Sequence, residues 1–576
     1  MQKATHRRSK RRTCLPIRQG AVLSDKAGWC RQLRERYEEN HYLLYSYARN
    51  ILGSGICNGS YRCGFAICIR NSVYTMILKP QVSDIKNIGY YLGRIILGIG
   101  LAMFLPFITG FVLFREPNPA LDFLISANIA IFIGVALSWL CKTDKELHTG
   151  PAMVVIALSW LAAMALSAIP LLLSGHYKSF LDACFETMSG FTTTGLTLVQ
   201  DLDHLSRTHN LWRHLGPFLG GQGIAIIAIS FLVGGTSGSL NLYLGEGRDE
   251  KLVPNVIHTA RFIWAISIVY LILGTIVLGL VGMSIGLKSQ SAFFHGACIF
   301  MAGFDTAGFS PQSPNILYYH SLMYEIVIIF FMVIGSFNFN LHYQIWTGNF
   351  KEIWKNIETR TFLFVIMIVT LITLAGLRQW GVYSNGMILF RKGFFQLISG
   401  QTTTGYMTIY AQQFIKEWGD LALTGIIIAM ALGGCACSTA GGIKMLRVGI
   451  IYKALRQDVK RAMLPPSAIV VQKFHHIKTM FLEDTQVRAV LIVTLGYFFL
   501  YGLGTLVGVG LGYPFLNALF ESTSAAGNVG LSCGITDASM PAILKVTYII
   551  EMWAGRLELM SVFALIGFFV AYVKGR

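Results

Sequence analysis

Apolar runs long enough to cross a lipid bilayer recur along this chain, and they limit it to one broad class of fold. A helix needs about 20 consecutive apolar residues to span the hydrocarbon core, and the first two candidates run from about 88 to 114 and from about 121 to 140. Only 13% of the 576 residues are charged and 54% are hydrophobic, too few polar side chains to cover a soluble protein. We therefore expect an all-α polytopic membrane protein.

The formal net charge of +18 at pH 7 comes from basic residues spread between the apolar runs. This distribution is typical of cytoplasmic loops, which carry an excess of Lys and Arg. It gives no reason to expect a nucleic-acid partner. We expect the bilayer of the cell's inner membrane as the environment of the chain.

Residues 1–75 differ from the rest, with 14 Lys and Arg against 4 Asp and Glu, and five of the eleven cysteines. Two hypotheses remain open for this basic extension: a tail that binds the membrane surface, or a start of translation at Met76, with the extension absent or disordered. Cys57, Cys63 and Cys68 are spaced too loosely to favour a zinc site, since such sites usually use tighter pairs.

From residue 149 onward one pattern occurs four times: a long apolar run, a half-length helical segment, a Gly/Thr-rich loop and another apolar run. The loops read GFTTTGL at 190–196, GFDTAGF at 303–309, GQTTTGY at 400–406 and AAGNVGL at 525–531. Glu186 and Glu521 each stand nine residues before the last glycine of a loop. Gly/Thr packing motifs are common between membrane helices, but they do not explain these constant offsets.

Such internal repeats predict a repeated architecture. We expect two leading transmembrane helices in 76–148, followed by four pseudo-repeats of helix, pore loop and helix around one pore, at 149–250, 251–355, 356–485 and 486–576. Basic clusters at 142–145, 248–251, 351–360 and 444–488 fall on one side only if each half-length segment re-enters the membrane. That side is then cytoplasmic, as are both termini, and the loops enter from outside.

Non-helical backbone survives at membrane depth only if it is buried in protein or lines a water-filled cavity. Four converging loops would line a pore, where backbone carbonyls can replace the water shell of a cation. Short helices that aim their C-terminal ends at the pore centre favour cations there. The pattern therefore predicts coordination of an alkali ion by neutral oxygens, without catalytic chemistry, so we do not expect an enzyme.

The four loops resemble the selectivity-filter loops of the Trk/Ktr/HKT superfamily of potassium transporters. Further motifs are similar to those of the bacterial Trk membrane subunit: LWRH at 211–214, LGGQG at 219–223, HTAR at 258–261, FNFNLHY at 337–343, GGCACSTAGGIK at 433–444 and GRLEL at 555–559. The resemblance covers about residue 88 to the C-terminus, and the unlike motifs occur in the order of the family.

The resemblance implies potassium as the transported ion and glycine in all four filter loops, whereas Ser in the first loop is associated with sodium permeation. The implied filter residues are Thr193, Thr194, Gly195, Thr306, Ala307, Gly308, Thr403, Thr404, Gly405, Asn528, Val529 and Gly530. Asp305 is less expected in the second loop. It either attracts cations at the outer mouth or caps a turn.

The segment 433–444 interrupts an apolar run from about 421 to 452 with small residues that weaken a helix. The resemblance implies an intramembrane loop that gates the pore, with Gly433, Gly434, Cys437, Gly441 and Gly442 as gate residues. The alternative is close packing of helices through small residues. Cys437 stands where glycine is more usual, so we expect a stiffer loop than in relatives.

Arg556 lies within the last apolar run, and a charge at membrane depth is a functional-site hypothesis by default. The resemblance places it in the pore beneath the filter, as an electrostatic barrier or part of the gate. The alternative is a structural ion pair with Glu558 or Glu551, although neither spacing puts the two side chains on one helix face.

The resemblance also implies a homodimer and a cytosolic regulatory subunit with an RCK/KTN-type nucleotide-binding domain. The chain has no Walker or Rossmann fingerprint of its own, so we expect no organic cofactor. One rival function stays open: a sodium- or proton-coupled secondary transporter of alkali cations. A second, an intramembrane enzyme, would need paired carboxylates or an HExxH-like set within the apolar runs, and the sequence has none.

Overall fold

The computed structural model describes residues 79–143, 147–224, 240–243, 246, 256–383, 385–465, 468 and 470–575. The hypotheses on residues 1–75, including the cysteine cluster, lie outside these ranges. In the described part, six helices are long and apolar enough to cross a membrane, or up to eight if each of two bent helix pairs counts as one span. The expectation of a helical, multi-pass membrane protein is confirmed.

Two long helices lead the described chain and pack against each other. Their elements are α1 (Val82–Ala102), α2 (Phe104–Thr109), a π-helical turn (Gly110–Phe114) and α3 (Pro117–Leu140). A Cβ atom on Gly93 would approach the backbone of Gly134 too closely. Small residues at this crossing therefore let the two backbones come together, as they do in many membrane helix pairs.

The rest of the chain runs four times through a long helix, a shorter helix, a loop and a further helix or helices. The first run contains α4 (Thr149–Leu173), α5 (Phe180–Phe191) and α6 (Arg207–Gln222). The second contains α7 (Val256–Ser284), α8 (Ser289–Phe304), a 3₁₀ turn (Asn315–Tyr319), α9 (Leu322–Gly335), α10 (Phe339–Trp346) and α11 (Lys351–Lys355).

The third run contains α12 (Ile357–Gln379), α13 (Gly386–Gln401), α14 (Ala411–Lys416), α15 (Gly419–Ala431), α16 (Met445–Met463), β1 (Lys473–His476) and β2 (Lys478–Phe481). The fourth contains α17 (Asp484–Gly510), α18 (Phe515–Ala526), α19 (Ala542–Arg556) and α20 (Met560–Lys574). The boundaries given to the four pseudo-repeats from sequence stay a prediction.

Consecutive runs pack side by side in a closed order. The short helices α8, α13 and α18 each contact a helix of the run before, namely α6, α9 and α15, and α5 contacts α19 of the last run. The ends of α5, α8, α13 and α18 therefore meet in the interior, where Phe185, Phe300, Phe395 and Phe520 are buried. This packing brings four loops from distant parts of the sequence to one place.

Three of the helices that follow these loops are broken. The axes of α9 and α10 differ by 101°, and those of α19 and α20 by 108°. The segment 432–444 separates α15 from α16, which is the interruption that the sequence predicts.

One element departs from the all-α expectation. Strands β1 and β2 form an antiparallel hairpin in which Lys473 pairs with Phe481 and His476 with Lys478. The polar run around these strands is too short and too charged for a membrane helix. The left-handed residue Ile477, at φ 61°, makes the tight reversal between the strands.

Candidate functional site

The four short helices end in the same way. In the first loop the N–H of Thr194 donates to the carbonyl of Ser189, five residues earlier, and the N–H of Thr193 donates to the carbonyl of Gly190, three residues earlier. The other three loops make the same two bonds, from residues 307 and 306, 404 and 403, and 529 and 528. This is the Schellman pattern, which requires a left-handed residue after the helix. Thr193, Thr306, Thr403 and Asn528 fill that position, with φ between 52° and 56°.

Two residues later each loop has a glycine with positive φ: 93° at Gly195, 67° at Gly308, 86° at Gly405 and 91° at Gly530. A Cβ atom on any of these glycines would collide with the carbonyl oxygen of the next loop. The colliding oxygens belong to Ala307, Thr404, Val529 and Thr194, in that order. The four loops thus form a closed ring that only glycine fits at these positions, and the ring brings together all twelve residues predicted for the filter.

Two buried glutamates hold the chain that leaves the ring. Glu521, on α18, accepts hydrogen bonds from the N–H groups of Cys533 (2.9 Å) and Ile535 (3.2 Å). Its carboxylate also accepts from the hydroxyls of Ser532 (2.6 Å) and Thr536 (2.7 Å). A fully buried carboxylate with several donors is well satisfied, so it fixes the loop behind Gly530.

Glu186, on α5, has the same position in the first loop. It accepts from the N–H of Leu198 at 2.9 Å and pairs with Arg213 at 2.8 Å, both side chains being buried. Arg213 also lies over the ring of Phe309, 4.6 Å from its centre, and so connects the first two loops. Sequence reasoning noted the shared offset of the two glutamates but assigned neither them nor Arg213 a role.

Asp305 is fully buried and follows directly after the last residue of α8. Its carboxylate accepts a hydrogen bond from Nε2 of Gln222 at 2.8 Å. This burial does not fit a side chain at an exposed outer mouth. The partner is an amide on α6 rather than a backbone N–H of the turn, so the turn-capping role stays a prediction.

The interrupting segment 432–444 is a compact loop directly against the ring. The N–H of Cys435 donates to the carbonyl of Ser336 (2.9 Å), and the N–H of Met445 donates to the carbonyl of Gly434 (3.0 Å). A Cβ atom on Gly433 would collide with the carbonyl of Gly441. Gly433 and Gly442 are therefore tightly packed against each other within the loop, whereas a Cβ atom on Gly434 would also approach Ser336 and one on Gly441 would collide with the carbonyl of Gly527.

The tip of this loop, residues 439–441, contacts all four left-handed residues of the ring. The hydroxyl of Thr306 bonds to that of Thr439 (3.3 Å), and the hydroxyl of Thr193 bonds to the Thr439 carbonyl (3.3 Å). The N–H of Gly441 donates to the Thr403 hydroxyl at 2.8 Å, and a Cβ atom on Gly441 would reach the Asn528 side chain. The loop therefore closes one face of the ring.

Cys437 has φ 49°. This is the left-handed region, where a residue with a Cβ atom costs roughly 1 kcal/mol more than glycine. Its carbonyl accepts a hydrogen bond from the N–H of Phe339 at 3.2 Å. The expectation of a stiffer loop than in relatives stays a prediction.

Arg556 is the last residue of α19, at the bend before α20, and not in the middle of a span as the sequence suggested. The apolar run is continuous, but the left-handed residues Glu558 (φ 50°) and Leu559 (φ 68°) break the helix there. The two glutamates considered as partners are engaged elsewhere: Glu558 pairs with Arg447, and Glu551 accepts from Ser522 at 3.0 Å.

The Arg556 guanidinium joins three elements. It donates to the carbonyl of Thr439 (2.5 Å) in the interrupting loop and to the hydroxyl of Thr193 (3.3 Å) in the ring. It also donates to the carbonyls of Gly220 (2.9 Å) and Gly221 (3.2 Å), near the C-terminus of α6, where the helix dipole favours a positive charge.

Cavities lie on both sides of this assembly. An open cavity of about 310 Å³ is lined by Gly195, Gly308 and Gly530 together with polar residues of the following segments. A second cavity of about 30 Å³ is lined by Cys437, Lys444, Arg556 and Glu558 among others. It has room for about two water molecules. The first cavity is lined by the glycines of the ring, and the second by residues of the interrupting loop and of the bend after α19.

Comparison with known proteins gives one consistent result. Residues 121–568 match the family model of TrkH, described as a cation transport protein. The chain is 32% identical over 494 residues to an uncharacterised cation transporter of Methanocaldococcus jannaschii, covering 85% of this chain and 97% of that protein. It is 30% identical over 506 residues to the Trk system potassium uptake protein TrkG of Escherichia coli, covering 85% and 99%.

The fold is also similar to the crystal structure of the potassium transporter TrkH from Vibrio parahaemolyticus, with a TM-score of 0.71, 23% identity, and coverage of 84% of this chain and 98% of that one. These relatives are transport proteins, in agreement with the prediction that the chain is not an enzyme. The family model covers more than half of the chain, and so this protein belongs to the TrkH family of cation transport proteins.

Proposed function

We propose that this chain takes up potassium across the inner membrane through the ring of four loops. The observation that carries the proposal is the closed order of the loops, in which each glycine lies against a carbonyl oxygen of the next loop. Such a ring supplies neutral backbone oxygens that can replace the water shell of an alkali ion. Two E. coli relatives are named as potassium uptake proteins, and for this reason we propose potassium rather than another alkali cation.

The twelve residues predicted from sequence supply the filter in this proposal, and the helix ends add to it. The C-terminal ends of α5, α8, α13 and α18 all meet at the ring. Each end carries a partial negative charge, so together they favour a cation in the ring. The four left-handed residues stand at these ends and turn the chain from helix into filter.

The interrupting loop is the gate, and Arg556 holds it closed. The gate residues Gly433, Gly434, Cys437, Gly441 and Gly442 allow its compact course, and its tip occupies the face of the ring next to the small cavity. Arg556 adds a positive charge beneath the filter, which repels an entering cation. Its hydrogen bond to the Thr439 carbonyl couples this charge to the loop.

The chain works as a homodimer with a cytosolic RCK-type regulatory subunit in this proposal. Both termini and the basic hairpin region are on the cytoplasmic side, because the excess of Lys and Arg between α15 and α17 follows the positive-inside rule. A regulator that contacts α16 could move the gate, since α16 begins one residue after the interrupting loop.

The test is rubidium uptake into proteoliposomes that contain the purified chain, compared with the variant Arg556→Gln. A hydrogen bond to a charged group contributes about 1.5–3 kcal/mol, and each 1.4 kcal/mol is a factor of ten, so the variant should raise uptake by roughly 10- to 150-fold. Arg378→Gln removes an exposed arginine at the end of α12 and should leave uptake unchanged.

Uptake that excess potassium blocks more strongly than excess sodium supports a potassium path. If Arg556→Gln gives no more uptake than Arg378→Gln, the gate assignment is wrong. If rubidium moves only when a sodium or proton gradient is imposed, the chain is a coupled transporter rather than an open path. No uptake by the variant even with the regulatory subunit present would contradict the function as a whole.

A further inference from the structure

A second large cavity lies away from the ring, between α11, α12, α16 and the hairpin. Its volume is about 640 Å³, within the range of about 300–1,000 Å³ that is usual for small-molecule sites. Its walls are mostly apolar and include Phe364 and Val365 on α12, Tyr452 on α16 and Phe474 on β1. No part of the transport path described above uses this cavity.

Four basic side chains line the cavity: Lys355, Arg360, Lys453 and Lys473. None of the described residues that line it is acidic. The buried carboxylate of Glu352 is already engaged, because it accepts hydrogen bonds from Nε2 of the lining residue His475 (3.0 Å) and from the N–H of Ile477 (3.1 Å). The cavity therefore combines an apolar interior with an excess of positive charge.

The cavity lies where a membrane-spanning helix begins. Ile357, the first residue of α12, lines it, and α12 is one of the six helices long enough to cross the membrane. Exposed aromatic side chains surround this level: Trp354 is 67% exposed and Tyr452 is 61% exposed. Exposed Trp and Tyr are typical of the boundary between lipid and water, so the cavity opens at the depth of the lipid headgroups.

We propose that this cavity binds an anionic phospholipid. The basic side chains would hold the phosphate, and the apolar walls on α12 and α16 would hold the start of the acyl chains. The apolar walls argue for a lipid over a free phosphate, which would gain nothing from them. The charge argues for an anionic lipid over a zwitterionic one, because basic pockets between membrane helices attract anionic headgroups.

The basic side chains differ in how free they are to bind. Nε of Arg360 donates to the carbonyl of Trp354 at 2.7 Å, which fixes the guanidinium at the end of α11. Lys473 lies 4.8 Å from the ring centre of Phe481. Lys355 and Lys453 face the cavity from opposite walls, on α11 and α16. They are therefore the side chains whose removal changes the charge of the cavity with the least effect on the fold.

The same two helices also hold the interrupting loop. Glu358, one residue after Ile357, accepts from the N–H of Ala436 in the loop at 2.6 Å. Met445, the first residue of α16, bonds through its N–H to Gly434 in the loop. A lipid in the cavity would contact both helices that hold this loop and so could influence gating. This effect on gating rests on the proposed function, whereas lipid binding does not.

The test is native mass spectrometry of the full chain in detergent, titrated with phosphatidylglycerol and, separately, with phosphatidylcholine. The cavity variant carries Lys355→Gln and Lys453→Gln. The matched control carries Lys351→Gln and Arg456→Gln, which remove two exposed charges from the same helices outside the cavity. Each basic side chain near anionic lipid is worth roughly a factor of five in binding, so the cavity variant should bind phosphatidylglycerol roughly 25-fold more weakly than the wild type.

Tighter binding of phosphatidylglycerol than of phosphatidylcholine, lost in the cavity variant and kept in the control, supports the proposal. Equal weakening in both variants would overturn it, because the attraction would then be to the general charge of the surface. Displacement by glycerol 3-phosphate at the same concentration as the lipid would assign a soluble phosphate instead. A shift from dimer to monomer in the cavity variant, without a change in lipid binding, would assign the surface to a second copy of the chain. Because binding is the readout, a failure of ion uptake does not affect this test.

Discussion

Replacing Gly195 with serine should reduce the preference of the path for rubidium over sodium. A Cβ atom at Gly195 collides with the carbonyl oxygen of Ala307 in the next loop, and that oxygen has to move by roughly 1.5 Å to reach a normal contact distance. The new side chain therefore displaces one oxygen of the ring. It also occupies a position with φ 93°, where a residue with a Cβ atom is strained.

The size of the effect follows from the free energy that one oxygen contributes when it contacts an ion. By analogy with hydrogen bonds to charged groups, the loss of such a contact costs about 1.5–3 kcal/mol. Sodium is smaller, and the displaced ring fits it no less well than the intact ring does. The free energy of sodium in the ring should therefore change less than that of rubidium. The ratio of rubidium to sodium uptake should therefore fall by roughly 10- to 150-fold, since 1.4 kcal/mol is a factor of ten.

The assay is rubidium and sodium uptake into proteoliposomes, with Arg556→Gln present in every sample so that the gate does not limit the flux. Gly175→Ser is the matched control: Gly175 also has positive φ, 74°, but a Cβ atom there meets nothing within 4 Å. The control thus carries the backbone strain without the collision. A selectivity in Gly195→Ser equal to that of Gly175→Ser would refute the idea that the ring of oxygens selects the ion.

Three further variants test the supports of the ring and the gate. Glu521→Gln weakens the acceptor of four donors, two of them buried backbone N–H groups, and should destabilise the detergent-solubilised chain by about 1–3 kcal/mol, seen as a lower unfolding temperature, whereas the exposed Glu417→Gln should not. Cys437→Gly relieves the left-handed backbone of the closed loop and should reduce rubidium uptake roughly fivefold, for about 1 kcal/mol; unchanged uptake counts against a strained gate. Thr439→Val removes a hydroxyl that bonds to the Gly335 carbonyl at 2.8 Å and should increase uptake by a similar factor, so a decrease would contradict its role in closure.

The sequence was sufficient to predict the loops and the interruption of the third run, because both depend on local chemistry. Glycine at a fixed offset indicates a backbone conformation that other residues do not adopt easily. A group of small residues within an apolar run indicates a broken helix. The bend at Arg556 was not predictable in this way. It is made by Glu558 and Leu559 in left-handed conformation, and neither residue type favours that conformation locally.

The partners of the buried charges were also beyond sequence reasoning. Arg213 reaches Glu186 from 27 positions away and lies against Phe309 from the next loop. Arg556 contacts Thr193, which is 363 positions distant. Such pairs are set by the packing of whole helices, and periodicity within one helix carries no information about them. The shared offset of Glu186 and Glu521 before their glycines was the one local signal.

The left-handed residues of the ring suggest why the proposed filter and the proposed gate lie so close together. A helix end of the Schellman type prefers glycine at this position, yet Thr193, Thr306, Thr403 and Asn528 occupy it. Each costs roughly 1 kcal/mol relative to glycine, and backbone strain of this kind persists where it serves a function. In this structure the three threonine side chains bond to the tip of the interrupting loop, and the Asn528 side chain lies where a Cβ atom on Gly441 would be. If the interrupting loop is the gate that we propose, this strain is placed where it provides side chains that hold the gate closed, and opening the gate would leave these side chains facing the path of the ion.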